Sequence, residues 1–93
     1  MTARRPVFFS KDARIDLDIW SQVDAGRYDR VLELVRDIQR SPFDGIGNPI
    51  PLMGSLKGFW SRRVDYCDWL VYMADDLRIV VLSCRTRVSR DAG

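Results

Sequence analysis

Tyr28, Val31, Leu32, Val35 and Ile38 recur at i, i+3, i+4, i+7 and i+10, one apolar stripe of a 3.6-residue period, which predicts an amphipathic helix. Asp29, Arg30, Glu33, Arg36, Asp37 and Arg40 fall on the other face. Arg36 and Arg40 follow Glu33 and Asp37 by three residues, a spacing that suits surface pairs worth a few tenths of a kcal/mol each. Pro42 ends the helix. Upstream, Pro6-Val7-Phe8-Phe9 is short and β-favouring, and Ser10 is placed to cap a helix after it. Residues 11–24 carry two patterns. Ile15 to Ile19 alternates like a strand, whereas Ala13, Leu17 and Trp20 keep helical spacing with Gly26 as a stop, and the second pattern predicts a helix.

Seven Pro and Gly residues (Pro42, Gly45, Gly47, Pro49, Pro51, Gly54 and Gly58) then punctuate 41–58 and predict a long loop with neither helix nor strand. Its GxG spacing is not preceded by a strand, so it does not read as a nucleotide cradle. Three strands follow: Phe59–Val64, Trp69–Ala74 and Arg78–Cys84, the last β-branched and apolar enough to be buried on both sides. Their turns, at Asp65-Tyr66 and Asp75-Asp76, are short and imply antiparallel order. The expected architecture is therefore α+β, in the order β-α-α-β-β-β: two helices on one face of a mainly antiparallel four-stranded sheet.

Ninety-three residues suit a single domain. No apolar run is long enough to cross a membrane, and Arg4-Arg5 lacks the apolar core of a secretion signal, which favours the cytoplasm. Cys67 and Cys84 fit neither metal spacing nor a disulfide framework and read as buried small hydrophobes in adjacent strands. The formal charge is only +2, but it is unevenly placed. Residues 1–55 balance eight basic against eight acidic groups, whereas 56–93 carry seven basic and five acidic.

Arginine dominates the polar positions of that C-terminal part. Strand alternation puts Ser61 and Arg63 on one face, and Ser83, Arg85 and Arg87 on one face of the last strand. If both sets point away from the helices, Arg63, Arg85 and Arg87 converge with Trp69 between them, a clamp for a phosphate backbone and a stacked base. The alternative is that these arginines are independent, solvated edge residues. The clamp requires the guanidinium groups of Arg63 and Arg87 to meet over one open surface.

The run Pro42-Phe43-Asp44-Gly45-Ile46-Gly47-Asn48-Pro49-Ile50-Pro51-Leu52, followed by Leu56-Lys57-Gly58-Phe59-Trp60-Ser61-Arg62-Arg63, resembles the YoeB branch of the RelE toxin family. Leu70-Val71-Tyr72 and Cys84-Arg85 continue the match. The resemblance implies a small α+β sandwich. It also implies the toxin of a type II toxin–antitoxin pair, which cuts messenger RNA on the ribosome by 2′-hydroxyl attack, without metal or cofactor, and is covered by a YefM-like antitoxin. Arg63 keeps a family arginine. The loop glutamate of the family is Ile50 here, a following lysine is Met53, the arginine before Leu-Val-Tyr is Trp69, the histidine before that is Asp68, and the C-terminal histidine and tyrosine are Arg87 and Val88.

The departures fall on positions that the chemistry uses. Cleavage needs a proton acceptor, a proton donor and cations near the phosphate. Ile50 cannot accept a proton, and Arg87 is a poor acid. Three readings remain open. In the first, Arg63 and Arg87 carry a shifted, arginine-based site, with Lys57, Arg62, Arg85, Arg90, Trp69 and Met53 contacting RNA and Tyr66 or Tyr72 replacing the lost tyrosine. In the second, the scaffold is catalytically silent and binds antitoxin or ribosome. In the third, Met53, Ile50 and Trp69 form an apolar patch that supports a homodimer.

Overall fold

The computed structural model describes residues 4–87, so Val88 and Arg90 lie outside the described residues. The elements are β1 (Val7–Phe9), α1 (Lys11–Val23), α2 (Ala25–Arg40), β2 (Ile50–Pro51), a 3₁₀ turn (Gly54–Leu56), β3 (Trp60–Arg63), β4 (Asp68–Ala74) and β5 (Ile79–Arg87). The sheet order is β1-β5-β4-β3-β2. Only β1 runs parallel to its neighbour, and the other pairings are antiparallel. The α+β layering is as expected, with a fifth strand added. Ile50 and Pro51 pair with Ser61 and Trp60, at a sheet edge, where proline's missing N–H costs no ladder bond.

Ser10 caps α1, its Oγ accepting from the Ala13 N–H at 3.0 Å while donating to the Leu82 carbonyl at 2.6 Å. The stop after α1 is Asp24 rather than Gly26, which lies inside α2. The Asp24 N–H closes α1 on the Trp20 carbonyl (2.9 Å), and its carboxylate accepts from the Arg27 N–H (3.0 Å) to start α2. Ala13, Trp20, Val31, Leu34, Val35 and Ile38 from the helices pack on Leu70, Tyr72, Ile79, Val81 and Cys84 of the sheet. Leu34 sits at the centre of α2's buried stripe, and Leu32 is only half-buried at its margin. Among the described residues, no helix is long and apolar enough to cross a membrane.

Two sequence expectations fail at the loop, for one reason. Asp37 is buried rather than solvated, and Arg62 is 0% exposed. The Arg62 guanidinium donates to Asp37 Oδ2 (2.6 Å) and to the carbonyls of Ser41 (2.7 Å), Asp44 (2.8 Å) and Ile46 (3.1 Å), while its Nε donates to Tyr72 Oη (3.2 Å). Tyr72 in turn donates to the Pro42 carbonyl (2.6 Å). The loop backbone has no helix or ladder to satisfy its carbonyls, and this guanidinium does so instead. Gly45 and Gly47, at φ +120° and +80°, sit against this knot, where a Cβ would overlap the Asp37 carboxylate or the Leu34 side chain. The PFxGxGxPxPL and GFWSRR segments are thus two halves of one buried contact.

Candidate functional site

The face of the sheet turned away from the helices is built in rows by strand register. Ile50, Ser61 and Val71 lie side by side, with Ser83 opposite Val71 on β5. Two residues along, Arg63 lies opposite Trp69, and Trp69 opposite Thr86. Side chains directly across a ladder share a face. The three positions matched to the family glutamate and two arginines (Ile50, Arg63 and Trp69) are therefore neighbours. The Arg63 guanidinium lies 5.6 Å from the Trp69 ring centroid, a cation–π contact. Among the described residues Arg63 has no carboxylate within 4.0 Å. The Trp69 indole N–H is buried without a partner there. Met53 is 78% exposed in the loop, and Lys57 is exposed beyond the 3₁₀ turn.

The arginine clamp does not form. Between Trp69/Thr86 and Val71/Ser83, β4 advances two residues and β5 three, with a second irregularity between Val71 and Tyr72. Such bulges change the face on which every later residue points. Ser83 and Thr86 share the open face and their hydroxyls hydrogen-bond to each other. Cys84 faces the core, the Arg85 guanidinium stacks 5.7 Å from the centroid of the buried Trp20 ring, and Arg87 stands opposite Asp68. Arg85 and Arg87 consequently lie on the helix side of the sheet, away from Arg63. Arg62 is an internal tie and offers no surface to RNA. Tyr72 is equally enclosed; burial raises its hydroxyl pKa, with Arg62 opposing, so it cannot replace a catalytic tyrosine.

The displaced arginines line a second cleft of about 270 Å³ with Trp20, Val23, Arg27, Cys67 and Asp68. Arg27 also stacks on Trp20 (5.0 Å) and pairs with Asp24 and Asp65. Burial and then the Asp65 charge raise the Asp68 carboxyl above its ordinary range, against Arg27, Arg87 and Arg85. For Asp65 burial is overcome: hydrogen bonds from the Cys67 N–H, Arg27 and the Asp68 N–H hold its carboxyl low. Acids and guanidiniums balance here, so the cleft is an ion-pair network rather than a bare cationic patch. Cys67, expected to be buried, is exposed in the β3–β4 turn, whereas Cys84 is buried. Among the described residues, no three His, Cys, Asp or Glu side chains gather as a metal cluster.

The layering, the loop tied to β3 and the open face around Arg63 define a small RelE-type toxin scaffold. Residues 9–87 match the family model of the YoeB-like toxin of bacterial type II toxin-antitoxin systems. Toxin YoeB of Mycobacterium bovis is 44% identical over 81 residues, covering 87% of this chain and 95% of that protein. Among solved structures, a YoeB dimer from Staphylococcus aureus superposes with a TM-score of 0.86 at 34% identity, covering 92% of this chain and 100% of that one. A YoeB–YefM complex from the same organism gives 0.82 at 33% identity, with the same coverage. The chain belongs to the YoeB family of type II toxins.

Proposed function

We propose that this chain is a YoeB-type toxin that engages messenger RNA at the ribosome and a YefM-like antitoxin, but transfers protons poorly and therefore cuts RNA slowly. The observation that carries this reading is the composition of the open face. Around Arg63 stand Ile50, Ser61, Trp69, Val71, Ser83 and Thr86, and none of these is a base or an acid near neutral pH. General acid–base groups each contribute about 10²–10⁴-fold to such a reaction. With one guanidinium and an indole, the face can hold a phosphate and a stacked base without driving their chemistry. A cleavage assay with purified ribosomes and a programmed messenger tests it. Bound but uncut messenger is the expected result, and fast cutting that disappears in Arg63→Ala overturns it.

A second reading rests on the apolar content of the same face. Phe8, Ile50 and Met73 are exposed along it, and Met53, two residues beyond β2, is exposed as well, a surface suited to self-association. A relative from S. aureus is described as a dimer in its solved structure. Light scattering at high protein concentration should then give twice the monomer mass, and a monomer at every concentration removes the idea.

A further inference from the structure

The structure leaves one aromatic side chain wholly in solvent beside the family arginine. Tyr66, at the tip of the β3–β4 turn, is 94% exposed. The turn beneath it is firmly tied. Asp65 Oδ1 accepts from the N–H groups of Cys67 and Asp68, each at 2.8 Å, and Asp65 Oδ2 is held by Arg27. The Val64 and Asp65 N–H groups both reach the Asp68 carbonyl, at 2.9 and 3.2 Å. A tyrosine on a fixed turn presents a large flat face while losing little freedom when something settles on it. Next to it opens a cleft of about 430 Å³ lined by Arg30, Val64, Asp65, Tyr66 and Arg63. Arg30 in its wall pairs with Glu33 (2.9 Å) and reaches the Arg63 carbonyl (3.4 Å).

We infer that this cleft is a nucleotide subsite: one unstacked base of single-stranded RNA lies on the Tyr66 ring, with its phosphate turned toward the Arg63 guanidinium. The inference rests on the RNA-binding reading above and adds to it a contact outside the positions matched to the family's catalytic groups. Three observations select this occupant. The lining combines the Tyr66 ring and Val64 with two arginines, the mix of residue types that a base and its phosphate require. Arg63 has no carboxylate within 4.0 Å among the described residues. Tyr72 is enclosed between Arg62 and Pro42, which leaves Tyr66 as the tyrosine available beside Arg63. Asp65 also lines the cleft, but Arg27 and two backbone N–H groups engage its carboxylate, so its charge is largely spoken for.

The test is fluorescence anisotropy of the full chain with a labelled single-stranded RNA oligonucleotide, and with the same oligonucleotide carrying one abasic residue. Tyr66→Ala should weaken binding by about 5- to 150-fold, the range of one base–aromatic stack, and Tyr66→Phe should stay within about twofold of the parent. The abasic oligonucleotide should bind the parent more weakly, yet bind parent and Tyr66→Ala equally. Arg63→Ala separates the two layers of the argument. If it weakens binding while Tyr66→Ala does not, the subsite is wrong and RNA binding stands. If the parent chain binds neither oligonucleotide, the RNA reading fails and the subsite with it.

Discussion

Replacing Asp37 by Asn leaves Arg62 with its positive charge in a fully buried place and no carboxylate to meet it. Removing one member of a buried ion pair costs about 3–5 kcal/mol. Three carbonyls and Tyr72 Oη still hold the guanidinium, so the loss should sit at the low end, about 3 kcal/mol. The carboxyl's own titration gives a similar scale. Burial works to raise its pKa, but hydrogen bonds from Arg40, Arg62 and the Ile46 N–H outweigh that and bring it from 3.8 to about 2. A folded value below the unfolded one contributes stability that is fully present above pH ~4 and is lost as pH falls through about 2, about 2 kcal/mol in all. A domain of this size has about 5–15 kcal/mol in total. Urea denaturation at neutral pH, followed by tryptophan fluorescence, should show Asp37→Asn folded but markedly weakened. Arg40→Ala, which removes only the exposed partner, should change stability far less. If Asp37→Asn costs no more than Arg40→Ala, the buried knot is not what fixes the loop.

Asp68→Asn should stabilise the fold at neutral pH. The folded pKa of Asp68 lies above its unfolded value, so the charged form opposes folding, and parent stability should gain on this account as pH falls through that folded value toward the unfolded one; an unfolding midpoint lowered by the substitution would contradict it. A thiol reagent should label the exposed Cys67 promptly in the native protein and Cys84 only in denaturant, since burial, and then Asp16, push the Cys84 thiol up to about 12; two fast thiols would mean that β5 does not pack as described. Ile50→Glu with Trp69→Arg should restore ribosome-dependent cleavage by about 10²-fold or more, and adding Arg87→His should contribute little, because position 87 faces Asp68. A gain confined to variants carrying the histidine would place that side chain on the open face after all.

Helix α2 was legible because its apolar spacing is strict, and the strands because their β-branched runs are bounded by turn residues. Alternation also put Arg63 and Trp69 on one surface, but Ile50 joins them only because β2 forms inside a segment that reads as loop. What alternation could not give was the far strand. The extra β5 residue between Ser83 and Thr86 leaves no composition signal, and it parts Arg87 from Ser83, leaving Arg87 on the helix side opposite Asp68. Nor could polarity separate Arg62 from Arg63. The first satisfies loop carbonyls that only the folded chain brings within reach, and the second faces solvent one residue later. The spacing of Gly45 and Gly47 before the twin arginines was the available hint, as a loop that dense in glycine must have its backbone bound by something.

Asp24 is at once the last N–H donor of α1 and the first acceptor of α2, so α1 and α2 meet with no intervening loop to absorb motion. Fraying at that corner must loosen both helices together. In amide hydrogen exchange, the closing turn of α1 and the opening turn of α2 should therefore exchange with one shared protection factor, and Asp24→Ala should lower both at once.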